Sequence, residues 1–287
     1  MADSRLLNQF GLKYNPFHPN IPVEDLWSRP GLDSFIFRVE SLVLDGGFGL
    51  LAGDPGQGKS KALHILAHRL EHVGDVVVGV MERPQSGLGD FYRELGRLFN
   101  VNLSPANRYG GFQALRERWH EHIRSSLFRP VLLVDEAQEV PTACLTELRI
   151  LGSARFDSEY LLTTLLAGDC RLTERFRSPE LVSLGSRIRV RLALEPLSRD
   201  DLLAWLDHVL ARAGAPHLMT DGLKQAVVDH AAGNLRVLAG LGTDLLAAAA
   251  QKGAPQLDEK LFFEVFSRPS ATPRRNRPAN PKNGDRT

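Results

Sequence analysis

Several common protein classes are excluded by what this chain has little of. There are only 2 cysteines in 287 residues, Cys144 and Cys170, and no CxxC or CxxxC pair, so neither a disulfide framework nor a thiolate metal cluster is expected. Both fall within amphipathic helical patterns and are expected to be packed thiols. No apolar run reaches the roughly eighteen residues that a membrane-spanning helix needs. The opening MADSRLLNQF lacks the apolar core of a secretory signal, so a cytoplasmic location with no membrane span is expected. His64, His68 and His72 lie four apart but without the glutamate of an HExxH arrangement, and they read as a solvated helix face. His120 and His122, two apart on a helix, cannot share a face.

Net charge is also nearly absent, at +1, but it is unevenly spread. From position 268 onward Arg268, Arg274, Arg275, Arg277, Lys282 and Arg286 face only Asp285, a net of +5, which leaves the rest of the chain at −4. No bulk positive field therefore steers the body toward nucleic acid. The segment 268–287, rich in Pro and Asn and poor in apolar residues, reads as a disordered basic tail able to touch DNA or an acidic partner. Apolar residues make up 43% and charged residues 24%, ordinary values for a globular chain long enough to bury a full core.

The informative element is GDPGQGKS at 53–60, with an apolar stretch over 48–52 before it and a helical pattern over 61–70 after it. This is the spacing of a phosphate-binding loop. Gly53, Asp54, Pro55, Gly56, Gln57, Gly58, Lys59, Ser60 and Lys61 are the expected nucleotide-binding residues: successive backbone N–H groups close around the anion, and Gly56 and Gly58 carry no side chain to block it. The helix that follows aims its N-terminus at the phosphates. Lys59 is expected to reach the β and γ oxygens, and the Ser60 hydroxyl to hold one corner of a Mg²⁺ shell.

A second element supports the first. Residues 131–134 are four consecutive apolar residues ending in Asp135-Glu136, the pattern of a strand buried on both faces of a parallel sheet. Acids at the C-terminal end of such a strand sit where open α/β sheets bind ligands. Asp135 is expected to hold Mg²⁺ through water, and Glu136 to polarise an attacking water, which points to hydrolysis rather than binding alone.

Along the chain, helices are expected to start near Asp33, after a cap at Ser86, over 112–127 and over 142–151, with strands at 48–52, 76–81, 131–134 and 160–167. A short helix over 171–176 follows Asp169, and a helical segment over 179–184 precedes a last strand, in which Ile188, Val190, Leu192 and Leu194 alternate with Arg189, Arg191 and Ala193. Strand signals then stop: Ser198 with Asp201 resembles a capping box, Thr220 can cap a further helix that Gly233 ends, and 235–250 and 257–266 are helical. Strands alternating with helices imply a three-layer αβα core with a parallel sheet, followed by a small all-helical lid. The expected divisions are an extended N-terminal segment packed on the core (1–30), the nucleotide-binding core (31–195), the lid (196–267) and the tail (268–287).

Two arginines remain open on spacing alone. Arg187 reads either as an arginine finger delivered to a neighbouring subunit's γ-phosphate or as part of a basic strand face with Arg189 and Arg191. Arg236, at the start of a helix after Gly233-Asn234-Leu235, reads either as a group reaching the nucleotide or as an exposed helix arginine.

The chain resembles an AAA+ ATPase of the ExeA type, related to transposition accessory ATPases, through FGLKYNPF, GDPGQGKS, VLLVDEAQEV, SPELVSLGSRIRVRLALEPLSRDD and AAGNLRVLAG. The resemblance covers nearly everything except the tail. It implies ATP, which the loop alone does not separate from GTP, as the nucleotide, Arg187 as the finger, Arg236 as a second sensor, and assembly of the chain with itself. In relatives the strand corresponding to 160–167 is commonly followed by Gly-Gln. Here it is Gly168-Asp169, which leaves the first sensor between Thr164 and Asp169 and sets an acid near the γ-phosphate unless Mg²⁺ or an arginine intervenes. For the process driven, the resemblance implies a regulator on duplex DNA that engages a transposase. The alternatives are an ExeA-like secretion or envelope-assembly component without its membrane part, and a nucleotide-gated interaction switch with little hydrolysis.

Overall fold

A computed structural model describes residues 2–82, 87–103 and 107–266. In chain order the elements are α1 (Ala2–Phe10), α2 (Leu32–Asp45), β1 (Gly47–Gly53), α3 (Lys59–Glu71), β2 (Val78–Met81), α4 (Leu88–Leu98), α5 (Arg108–Ser126), β3 (Val131–Val134) and α6 (Thr142–Gly152). Then come β4 (Ser153–Ala154), β5 (Glu159–Tyr160), β6 (Thr163–Gly168), α7 (Cys170–Arg175), α8 (Val182–Gly185) and β7 (Ile188–Leu194). Helices α9 (Arg199–Arg212), α10 (Asp221–Ala231), α11 (Leu235–Lys252) and α12 (Glu259–Phe266) complete the described chain. The expected tail over 268–287 and the expected cap Ser86 lie outside the described residues.

Five parallel strands form one sheet in the order β2-β3-β6-β1-β7. The burial of each strand follows its place. Central β3 and β6 are buried at every residue, whereas edge strand β7 alternates buried and exposed positions. The period of two sends Leu132 and Val134 into a core shared with α4, α5 and α6, and Val131 and Leu133 into a second core beneath α2 and α3. This is the three-layer αβα arrangement.

A third core belongs to the helices after β7. Ser198 and Asp201 form the expected capping box at the start of α9, and the Thr220 side chain accepts from Leu223 N at α10. Asn234 caps α11 by accepting from Arg236 N and Val237 N.

Three expectations are corrected here. The opening segment is not extended throughout, because residues 2–10 are helical. Nor does it lie chiefly on the sheet domain: Leu6, Leu7, Phe10, Leu12 and Phe17 join the core of α9 to α12. The lid offers an apolar face to which they add. The strand expected over 160–167 is split by a bend at 161–162, so that Tyr160 pairs antiparallel with Ser153 and the sheet strand starts at Thr163. Cys144 is a packed thiol whose pKa burial raises, but Cys170 is exposed at the first turn of α7.

Phe17 is the seal between the opening segment and the lid. It is 4% exposed, and a Cβ on Gly242 of α11 would lie 2.6 Å from its ring. Gly242→Ala should therefore displace Phe17 and cost about 1–3 kcal/mol, read as a lower denaturant midpoint; an unchanged midpoint would mean that the segment is not a structural part of the lid.

Candidate nucleotide site

The sheet order brings three strand ends together. β6 lies between β1 and β3, so the loop after β1, the acids after β3 and Asp169 after β6 share one edge, with β1 and β3 only about 10 Å apart. A cavity of about 710 Å³ opens there, lined from the loop by residues 55–62, from the other two strand ends by Glu136, Asp169 and Arg171, and from α11 by Leu235 and Arg236. Much of its remaining wall is apolar, with Phe17, Pro19, Ile21 and Trp27 from the opening segment and Trp205 from α9, and Asp25 and Arg29 line it too.

Within the loop, Gly56 and Gly58 take φ of +87 and +89, a region that L side chains avoid. Gly53 is needed for a different reason: a Cβ there would meet the Leu194 backbone oxygen at 2.9 Å. Lys59 is 7% exposed, and its Nζ donates to Gly53 O at 2.7 Å and Asp54 O at 3.2 Å. Among the described residues no ion pair involves Lys59, so a buried cation lies at a loop of N–H donors with only carbonyl partners. That is a fit for phosphate. Ser60 Oγ donates to Asp135 Oδ2 at 2.8 Å, and a hydroxyl with a carboxylate is an all-oxygen pair suited to Mg²⁺. Glu136 follows at φ +49 and lines the cavity.

Of the other expected residues, Arg236 lines the cavity, and its backbone N donates to Gly56 O at 3.3 Å. Lys61 lies at the rim, where its Nζ donates to Pro19 O and burial lowers its pKa. Asp169 lines the cavity, whereas Thr164 is wholly buried at the second residue of β6, paired with Phe48 and Leu132 far from that edge. Arg187 is not in this group. It precedes β7 and so stands at the opposite edge of the sheet, a seven-residue strand away, or about 20 Å. Its guanidinium donates to Ser183 O and pairs with Asp157 at 2.5 Å.

Sequence reasoning missed four contributors. Asn234 Nδ2 donates to Pro55 O at 3.2 Å, tying the lid to the loop; its only signal was its place before a helix. Arg29 donates to Gln57 O and Glu195 O, each at 2.9 Å, with no signal beyond its charge. Arg171 is the arginine that intervenes at Asp169: it bonds that carboxylate at 2.9 Å through Nε and Glu139 at 2.7 Å. Gln138 joins Glu136 to the Asp169 backbone.

The fold and the loop geometry are those of a phosphate-loop protein. Residues 43–176 match the family described as AAA domain, and the architecture is the AAA fold. The chain is 30% identical over 210 residues to General secretion pathway protein A of Aeromonas hydrophila, covering 71% of this chain and 37% of that protein. It therefore spans little more than a third of that relative's length. Similar solved structures include Cdc6p from Pyrobaculum aerophilum, at TM-score 0.64 and 16% identity over 89% of this chain and 72% of that one. The Aeropyrum pernix ORC2 protein gives TM-score 0.67 and 17% identity over 88% and 71%. The Thermotoga maritima RuvB branch migration motor gives 0.59 and 18% over 88% and 72%. At these identities the likeness is one of fold.

Two outcomes follow from the geometry. A Cβ at position 56 would fall 2.3 Å from Asn234 Oδ1, so Gly56→Ala should weaken nucleotide binding about tenfold or more, ~1.4 kcal/mol, in a titration; unchanged affinity would exclude the loop as the binding element. The Arg171 hydrogen bond is the largest influence holding the Asp169 pKa below the ordinary carboxylate range. A depressed folded-state pKa stabilises above the unfolded value of about 3.9, and that stabilisation is lost as pH falls through the folded value. Arg171→Met should therefore lower Tm at pH 7, and its gap to the parent should close as pH falls below about 4.

Proposed function

We propose that the chain hydrolyses ATP at an interface between two copies of itself. The observation that carries this reading is the contact of Ser60 with Asp135 at 2.8 Å, which joins the phosphate loop to the acidic strand end. Lys59 and the loop N–H groups hold the β and γ phosphates, and Ser60 and Asp135 would hold Mg²⁺, which supplies charge neutralisation between those phosphates. The Glu136 carboxylate takes a proton from water as the water oxygen bonds to the γ-phosphorus. The bond from that phosphorus to the β,γ-bridging oxygen breaks, leaving ADP and phosphate. Arg236 faces the same nucleotide from the lid.

Arg187 completes the site in trans. Its distance along β7 from the loop keeps it from its own nucleotide, so it serves the nucleotide of the next copy.

For the process driven, the 30% identity to General secretion pathway protein A supports a secretion or envelope-assembly ATPase. Among the described residues no helix is long and apolar enough to cross a membrane. A second reading, a DNA-associated regulator such as a transposition accessory ATPase, is supported by the basic residues after position 267 and by likeness in fold to proteins such as Drosophila ORC bound to DNA, at TM-score 0.62.

Lys59→Ala should weaken nucleotide binding itself, while Glu136→Gln should retain binding and abolish turnover. Arg187→Ala should lose about a thousandfold in turnover, and activity should return when it is mixed with Glu136→Gln, because each copy then supplies what the other lacks. No recovery on mixing would rule out action in trans. Steady-state turnover with and without duplex DNA separates the processes: salt-sensitive stimulation supports the DNA reading, and turnover indifferent to DNA supports the secretion reading. Binding without turnover under any condition would leave only a nucleotide-gated switch.

A further inference from the structure

Glu136 has a side-chain partner that the catalytic scheme does not use. Its Oε2 accepts a hydrogen bond from Gln138 Nε2. Gln138 is 7% exposed, and the other end of the same amide, Oε1, accepts from the backbone N–H of Asp169 at 3.2 Å. Its backbone carbonyl is fixed as well, accepting from Arg175 Nη1 at 2.6 Å.

This pattern dictates which way the amide points. An N–H can be met only by the oxygen end, so Asp169 takes Oε1 and the donor end is left facing Glu136. The approach is close enough to need a glycine. A Cβ at position 168 would fall 2.6 Å from Gln138 Oε1 and 2.8 Å from Leu172 Cδ2. Among the described residues no other hydrogen bond to the Glu136 side chain is formed, and its own N–H is spent on Asp135 Oδ1 at 2.9 Å.

We propose that Gln138 is the positioning residue for Glu136: it holds one carboxylate oxygen through its amide N–H, leaves the other for the water, and takes its own orientation from the Asp169 loop. The inference rests on Glu136 being the base. Asp169 and Arg171 line the nucleotide cavity, so the support of the base is anchored in the cavity wall. A side chain that merely filled space or satisfied the Asp169 N–H would need an acceptor there and nothing that donates to Glu136.

The test is a set of variants of the full chain. Gln138→Glu preserves size and the acceptor for Asp169 but turns the donor into a carboxylate facing Glu136. Gln138→Met removes the donor without adding charge. Both should lower kcat on the order of tenfold to a hundredfold, with KM for ATP and the affinity for a non-hydrolysable ATP analogue changed less than about twofold. Gly168→Ala, which displaces the amide without touching Glu136, should give the same split. Parental kcat in Gln138→Met overturns the inference, whether or not Gln138→Glu is slow, because loss confined to the charged variant is repulsion alone. Equal loss of kcat and analogue binding overturns it too, as that marks a collapsed loop. Glu136→Gln run alongside separates the two levels: turnover retained there sinks the base assignment itself, whereas turnover abolished there with Gln138→Met at parental rate sinks only the positioning role.

Discussion

The architecture depends on the parallel pairing of β6 with β1 on one side and β3 on the other. Because β6 lies between the strand that feeds the phosphate loop and the strand that ends in Asp135-Glu136, everything chemical is gathered at three neighbouring C-terminal strand ends. Parallel strands leave no alternative: their loops alternate between the two edges, and only one edge carries the acids. Both central strands must then be buried on both faces, which is why 131–134 and 163–168 contain no charged residue. The interior of the sheet is thus the price of the site at its edge.

The same constraint separates Arg187 from the loop. A residue that enters a parallel strand stands at the far edge from one that leaves it, so no rotamer of Arg187 can bring it to the cavity of its own chain. Its present partners, Asp157 and the Ser183 carbonyl, hold the guanidinium half-buried at that far edge. The two-residue strands β4 and β5 present Asp157 from a turn in which Arg155, Phe156 and Asp157 all take positive φ. Phe156 projects fully into solvent beside it. Under the proposed reading this edge faces the next copy.

What could be read from the sequence was whatever depends on local chemistry. The glycine spacing of 53–60, the VLLV run before two acids and the Ser198–Asp201 box each encode their geometry within a few residues, and each is found in the fold. What could not be read depends on contacts between segments far apart in the chain. Leu6, Leu7 and Phe10 have the composition of a loose end until the lid offers an apolar surface, 200 residues later, on which a helix can lie. Arg29 is an ordinary charge until Gln57 O and Glu195 O converge on it. Gln138 belongs to a motif that was visible, but its work is done through the Asp169 N–H, and that neighbour exists only because β3 and β6 pair. That Thr164 lies inside the sheet and Asp169 at its edge depends on the strand register, which the sequence alone does not give.

The lid and the opening segment share one apolar core. Phe17 lies under Gly242, Tyr14 donates to Asp25 at 2.9 Å, and Arg212 pairs with the same carboxylate, so the segment is fastened to α9 and α11. Burial, then the Asp25 hydrogen bond, push the Tyr14 pKa up to about 12, so that fastening stays intact across physiological pH. The body meets the phosphate loop at few points: Asn234 on Pro55, the Arg236 N–H on Gly56, Arg29 on Gln57 and Lys61 on Pro19. All are polar contacts to backbone carbonyls, and such contacts can be exchanged at little net cost when a ligand offers equivalent oxygens. A nucleotide seated between the loop and the Trp27–Trp205 wall would touch both bodies at once. A γ-phosphate can shift their relative position only through groups that reach it, and under the proposed reading Arg236, which lines the cavity from the lid, is such a group. Under the proposed reading, any effect of the nucleotide on the lid would start at a cation on the first turn of α11, the helix that also packs against the opening segment.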